Sequence, residues 1–155
     1  YVTAGYPTLD DTVDLLLAMQ EAGADIVELG VPFSDGSADG DTILAANHVA
    51  LRNGVTVALC LQFVRDARAK GLTVPVVLMG YANPFAKYGD ERLCEDAAAA
   101  GVDAFIVVDL PPEEATSFLA ACSKHNLYFI SLVAPTTTEE RLSLIAKHAQ
   151  GYVYC

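Results

Sequence analysis

Short apolar runs rich in β-forming residues recur along this sequence at near-regular spacing, and none of them alternates with polar residues. The runs are Tyr1–Ala4, Asp25–Leu29, Val74–Met79, Ala104–Val108, Tyr128–Val133 and Tyr152–Tyr154. Continuous apolar character marks strands buried on both faces, as in a parallel sheet whose crossovers are helices. Amphipathic stretches with helix-end signals fill the intervals. Asp11–Ala22 places Val13, Leu16, Leu17 and Gln20 on one face and ends at Gly23, a C′ glycine. Thr42–Arg52 follows Asp41 as N-cap and stops before Asn53-Gly54. Thr56 opens a helix whose Leu59, Phe63 and Val64 share a face and which ends before Gly71. Glu91–Ala100 precedes Gly101, and Pro112 fits the first position of a helix ending near His125, with Asn126 in a left-handed turn. Thr137 and Glu140 form a capping box ahead of a last helix ended by Gly151.

Repeated βα units of this length leave two architectures, a doubly wound sheet and a (β/α)8 TIM barrel. No G-x-G-x-x-G follows the first strand and no G-x-x-x-x-G-K-[ST] occurs, so the dinucleotide and P-loop forms lose their main support. Polar residues at the C-terminal ends of strands favour the barrel, whose active sites are built there. The sequence opens in mid-strand at Tyr1 without a Met and holds about five and a half βα units where a closed barrel has eight. The expectation is a partial barrel domain over residues 1–155 that lacks N- and C-terminal parts and leaves sheet edges open to aggregation or dimerisation.

Composition narrows the possible functions. Of 155 residues, 53% are hydrophobic, enough for a packed core and too many for an intrinsically disordered chain. Acidic residues outnumber basic ones 20 to 9, a net charge of −11 that repels phosphate backbones, so no nucleic acid is expected as partner. No apolar stretch approaches the ~18–20 residues of a membrane span, and no signal peptide is visible, so neither membrane nor export is expected. Cys60, Cys94, Cys122 and Cys155 form no C-x-x-C pair and do not group with His48, His125 or His148, so no metal site is expected. The first three cysteines read as core thiols of a reducing cytoplasm, and the histidines as surface residues.

Glu28 is the sharpest chemical feature. It interrupts Ile26-Val27-x-Leu29-Gly30-Val31, the most apolar neighbourhood given to any acid in the chain. A carboxyl desolvated there favours its neutral form, the state from which a proton can be given, although a glutamate bonded to backbone or to a basic side chain has the same spacing. The loop Pro32-Phe33-Ser34-Asp35-Gly36-Ser37-Ala38-Asp39-Gly40 follows at once and brings Asp39 to the same rim, either to accept from a ligand N–H or as a turn former. Asp109 is a second strand-end acid, equally readable as fixing the turn before Pro112. Tyr81 and Asn83 follow the third strand, where Asn83-Pro84 reads as a turn and Lys87 and Tyr88 as surface loop.

These residues closely resemble the tryptophan synthase alpha subunit, or the corresponding domain of the fused fungal enzyme. The likeness lies in Val2-Thr3-Ala4-Gly5-Tyr6-Pro7, in Ala22-Gly23-Ala24-Asp25-Ile26-Val27-Glu28-Leu29-Gly30-Val31-Pro32-Phe33-Ser34-Asp35, and in Leu78-Met79-Gly80-Tyr81-Ala82-Asn83-Pro84. It continues through Val108-Asp109-Leu110-Pro111-Pro112-Glu113-Glu114 and Leu132-Val133-Ala134-Pro135-Thr136-Thr137.

The resemblance implies a lyase of tryptophan biosynthesis on a TIM barrel, cleaving indole-3-glycerol phosphate to indole and glyceraldehyde 3-phosphate by a retro-aldol reaction. It implies Glu28 and Asp39 as catalytic residues: Glu28 moves a proton at indole C3 and the glycerol hydroxyl, and Asp39 holds the indole N–H. It places Tyr1, Thr3, Met79, Tyr81, Ile106, Val108, Leu132 and Tyr154 around the substrate. Pro32, Asp35 and Asn83 fall on the face meeting a beta subunit or fused beta domain, which uses pyridoxal phosphate; no cofactor belongs to this domain itself. The chain departs from the F-S-D-P-x-A-D-G-P-T-I-Q pattern where Gly36 and Asp41 replace prolines and Leu44 replaces Gln. Those changes loosen the loop carrying Asp39 and add a like charge near it. The family's phosphate site lies on later loops, so these residues alone are expected to be nearly inactive. Two other readings stay open. One is another phosphate-binding barrel enzyme, although no lysine stands at a strand end to form an aldolase Schiff base. The other is a truncated, non-enzymatic interaction module.

Overall fold

The computed structural model describes residues 1–155, and its strands run in one direction. In chain order the elements are β1 (Val2–Thr3), α1 (Asp11–Glu21), β2 (Val27–Gly30), α2 (Asp41–Arg52), α3 (Val57–Ala69), β3 (Val76–Gly80) and α4 (Ala82–Tyr88). They continue with α5 (Asp90–Ala100), β4 (Ala104–Val107), α6 (Thr116–Lys124), β5 (Tyr128–Phe129), β6 (Ser131–Leu132), α7 (Glu139–His148) and β7 (Val153–Tyr154). The main sheet is ordered β1-β2-β3-β4-β5 with every pair parallel, and β6 pairs with β7 in a second, two-stranded sheet.

Two observations decide between the architectures. Strand order never reverses, whereas a doubly wound sheet must reverse to place helices on both faces. The core is also divided by face. Val27, Leu29, Val76, Leu78, Phe105, Val107 and Phe129 pack with the helices in one large cluster. Val77, Ala104, Ile106 and Ile130 form a separate cluster with Met79, Val108, Leu132 and Tyr152, in which no helix takes part. Helices therefore cover one face only, and the other is the interior of an incomplete (β/α)8 barrel. No single helix is long and apolar enough to cross a membrane.

The run Tyr128–Val133, expected as one strand, divides at Ile130. Its first half bonds to β4, ending with Ile130 N donating to Phe105 O at 2.8 Å, and its second half bonds to β7, where Val133 N donates to Tyr154 O at 2.8 Å. Strand stagger in a barrel produces this shift from one neighbour to the next along a single extended segment. Helix starts moved more than helix ends. Gly40, not Asp41, is the N-cap of α2; Thr138, not Thr137, caps α7 by accepting from Arg141 N at 3.3 Å. Thr137 instead closes the preceding turn, accepting from Ala134 N. Pro112 does not start a helix: residues 111–115 turn first and α6 begins at Thr116. Asn83-Pro84 is no turn but lies inside the additional helix α4, and so do Lys87 and Tyr88. Tyr88 donates to Asp96 at 2.6 Å and its ring lies under Arg92. Thr56 caps α3 as expected, and Asn126 has φ 57°.

Cys60, Cys94 and Cys122 are buried core thiols, while Cys155 is exposed. Gln20 of α1 is held by the backbone leading into β3: its Oε1 accepts from Thr73 N at 2.7 Å and Val74 N at 3.1 Å. Beside it, Arg68 ties the N-terminal ends of β3 and β4 together. Its guanidinium donates to the carbonyls of Gly101, Leu72 and Val74, and to Asp103 Oδ2 at 2.8 Å, which also accepts from Val76 N. Truncating this side chain strands three carbonyls and a carboxylate at once. Arg68→Ala should lower unfolding free energy by about 2–3 kcal/mol in urea titration, whereas Arg65→Ala on the same helix should leave the midpoint almost unchanged.

Candidate active site

Parallel pairing fixes which residues share the inner face. Thr3 pairs with Gly30, Gly30 with Met79, and Met79 with Ile106, so these four form one layer across the strands. Glu28 pairs with Val77 in the layer below. Side chains alternate along a strand, so Tyr1, Tyr81, Val108 and Leu132 take the same face, and Leu132 pairs with Tyr154. The residues expected around a substrate thus share the inner face of the strands. Gly30 is required there by a close approach: a Cβ at this position would lie 2.0 Å from the Tyr1 hydroxyl.

Glu28 is half-buried on this surface and not enclosed among apolar side chains as its sequence neighbourhood suggested. Val27 and Leu29 take the helix face, and Ile26 is exposed, so the apolar run surrounds Glu28 in sequence but not in space. Tyr152, at the start of β7, donates its hydroxyl to Glu28 Oε1 at 3.1 Å. Burial and the Glu28 carboxylate push the Tyr152 hydroxyl from its ordinary value near 10 up to about 12.

Asp39 lies half-buried on the loop after β2, where its Oδ2 accepts from Asn47 Nδ2 at 3.1 Å. The loop is seated on Tyr81, whose hydroxyl accepts from Ala38 N at 3.0 Å and whose ring meets Phe33 at 5.5 Å. Burial raises the Tyr81 hydroxyl above its usual range, and Asp39 raises it further. The Tyr1 hydroxyl is raised as well, first by burial and then by Asp39, Tyr81 and Glu28 together. Glu28, Asp39 and the Tyr81 hydroxyl thus all act on the Tyr1 phenol.

The other expected positions separate by role. Asp109 Oδ1 accepts from Ala82 N at 2.7 Å, so it caps the start of α4 on the neighbouring strand and does not fix its own turn. Of the residues expected to meet a partner, Asp35 and Asn83 are exposed and Pro32 is buried. His48 and His148 are exposed, while His125 is half-buried against Glu91. No group of three His, Cys, Asp or Glu side chains is arranged to hold a metal ion. Tyr152 and Asn47 were not singled out from sequence; Tyr152 shares the strand parity of Tyr154, which was the available signal.

Comparison with known proteins agrees with this geometry. The family described as Tryptophan synthase alpha chain matches residues 1–155. The Tryptophan synthase of Saccharomyces cerevisiae is 53% identical over 154 residues, 99% of this chain and 22% of that protein. The Tryptophan synthase alpha chain of Roseiflexus sp. is 50% identical over 155 residues, all of this chain and 59% of that protein. Among solved structures, the alpha chain from Legionella pneumophila superposes with a TM-score of 0.94 at 44% identity, covering 99% of this chain and 58% of that one. The chain spans about three-fifths of the length of the alpha chains it matches.

The phenol pair at Glu28 has a spectroscopic consequence. Removing Tyr152 as Phe should delete, from the ultraviolet titration of the tyrosines, a component with midpoint near 12, and Glu28→Gln should bring that component down toward 10. Because the folded hydroxyl holds its proton more tightly than the unfolded one, its contribution to stability is complete below about pH 10. It is lost as pH rises from there through about 12.

Proposed function

We propose, from the premise that this chain belongs to the tryptophan synthase alpha chain family, that its inner-face site takes part in retro-aldol cleavage of indole-3-glycerol phosphate. What supports this reading most is that two carboxylates, Glu28 and Asp39, both act on the Tyr1 hydroxyl, on the inner face that also carries Met79 and Ile106. Indole is flat and apolar with one N–H donor, and an apolar inner face with a carboxylate acceptor beside it matches that chemistry.

The reaction is a sequence of proton transfers. A proton must be added at indole C3, and the hydroxyl on the adjoining glycerol carbon must lose one. The bond between those carbons then breaks, its electrons return to the indole ring, and the glycerol carbon becomes the aldehyde of glyceraldehyde 3-phosphate. Glu28 is assigned both proton movements, because Tyr152 occupies only its Oε1 and leaves the other oxygen for the substrate. Asp39 is assigned the indole N–H, whose positive character grows when C3 is protonated, so the interaction strengthens toward the transition state. Tyr1 and Tyr81 supply the aromatic walls, and Thr3, Val108, Leu132 and Tyr154 complete the surroundings. These steps need no cofactor in this domain.

The partner proposed for the rim is a tryptophan synthase beta chain, separate or fused, which would hold the pyridoxal phosphate of the pair. Asp35 and Asn83 are the residues placed to meet it, with Pro32 shaping the loop from below. The unit proposed is residues 1–155 as one partial-barrel domain, with the remaining two-fifths of the family's length supplying the phosphate site.

Indole release should be assayed in the protein containing residues 1–155, assembled with a beta chain. Glu28→Gln should reduce kcat by about a hundredfold or more while leaving the fold intact by circular dichroism. Equal indole release by the wild-type protein and the variant would overturn the assignment.

A further inference from the structure

We infer that Asn47 is the positioning residue of Asp39, and that Gly36 provides the space in which it acts; the inference rests on the lyase reading above. Asn47 lies on α2 with 2% of its surface exposed, on a helix whose other buried residues are Ala46 and Ala50. Burying an amide is unfavourable unless its bonds are satisfied. Asn47 satisfies one half only: Nδ2 donates to Asp39 Oδ2, while Oδ1 is buried without any partner. An alanine or leucine would avoid that orphaned oxygen, so the bond to Asp39 is what the buried amide supplies.

Gly36 supports the same oxygen from the other side. A Cβ at position 36 would fall 2.3 Å from Asp39 Oδ2 and 3.1 Å from its Cγ. The glycine is needed here for space and not for a left-handed backbone. Asp39 Oδ2 therefore sits in a seat made of the Asn47 amide and the bare Cα of Gly36. Ala38 N, bound to the Tyr81 hydroxyl, fixes the backbone one residue away. With Oδ2 held, rotation about the Asp39 side chain is removed and Oδ1 is the oxygen presented to a ligand N–H. Any side chain at position 36 brings a Cβ against Asp39 Oδ2, so that oxygen must turn away from its present position. The orientation of Asp39 is thus a property of this chain's own loop.

The test uses the protein containing residues 1–155 with a beta chain, assayed for indole release across acid to alkaline pH. The variants are Asp39→Asn, Asn47→Ala, Asn47→Asp and Gly36→Ala. Asp39→Asn should abolish most activity. Asn47→Ala and Gly36→Ala should each lower kcat by about tenfold, the equivalent of one charge-assisted hydrogen bond, with KM little changed. Their double variant should be no worse than either alone, because both remove one seat. Asn47→Asp should be slow at neutral and alkaline pH, where two carboxylates face each other, and should recover toward acid as the new carboxyl gains a proton to donate. A purely structural Asn47 would give losses without that recovery. Wild-type kcat in Asn47→Ala and Gly36→Ala beside an inactive Asp39→Asn overturns the inference and leaves the lyase reading standing. Full activity in Asp39→Asn also overturns the inference, by removing the role of Asp39, whereas absence of indole release from the wild-type protein overturns the lyase reading itself. Gly36→Ala lies in a loop outside the helices and remains informative if the Asn47 variants fail to fold.

Discussion

The parallel register of β2, β3 and β4 is the constraint on which the rest of this structure depends. Its period of two sends Val27 and Leu29 to the helices and Glu28 to the interior, so one strand serves the core and the chemistry together. A slip of one residue would drive the carboxylate into the aliphatic cluster of α1 and α3, where no donor waits for it. In the observed register it meets Tyr152, a residue 124 positions away in sequence. The same pairing aligns Thr3, Gly30, Met79 and Ile106 as a floor, and the missing side chain of Gly30 admits the Tyr1 ring across it.

The two ends of the strands have different tasks. At the N-terminal ends, Arg68 and Gln20 each make several bonds to backbone carbonyls or amides, and Asp103 joins the Arg68 guanidinium to Val76 N. At the C-terminal ends, the loops are held by a few side-chain bonds, such as Tyr81 to Ala38 and Asp109 to Ala82. A rigid base with sparsely tied loops is the general division in barrel enzymes, where stability and activity occupy opposite faces. Three of these five polar anchors, Asp103, Tyr81 and Asp109, are acids or phenols that also resemble site residues, so rigidity and reactivity can be confused in sequence. Asp109 is the clear example: it has the strand-end setting of a catalytic acid and the partner of a helix cap.

Much of the architecture was legible because it rests on local chemistry. Continuous apolar runs located the strands, and Gly23, Gly101 and Asn126 marked the helix ends, since those signals act within a few residues. The errors arose where a distant neighbour decided. Ile130 divides its strand because β4 ends and β7 begins beside it, which no local pattern contains. Pro112 looked like a helix start, but turns at 111–115 carry the chain further before α6 can pack. The apolar setting of Glu28 in sequence marks it out but does not give its exposure, because sequence neighbours on a strand occupy both faces. Nothing local distinguishes Asn47, since a polar residue on a helix ordinarily faces solvent and only its tertiary neighbours bury it.

Glu28 also links the two sheets. The main sheet ends its ladder at Phe129 and the second begins at Ser131, so backbone pairing does not carry β7 back to β2. The hydrogen bond from Tyr152 to Glu28 spans that gap, joining an early strand to the last one across the interior. A carboxylate in this position serves two ends: it holds β7 toward the floor, and it has its own rotation limited by the phenol. Restraint of this kind matters for proton transfer, because an acid must sit within hydrogen-bond reach of the atom it protonates. The neighbouring Asp39 is restrained differently, by an amide from α2 and a glycine of its own loop. The two carboxylates thus answer to separate parts of the fold, the first to closure of the strands and the second to the packing of α2. Changes in either part can alter one acid without displacing the other.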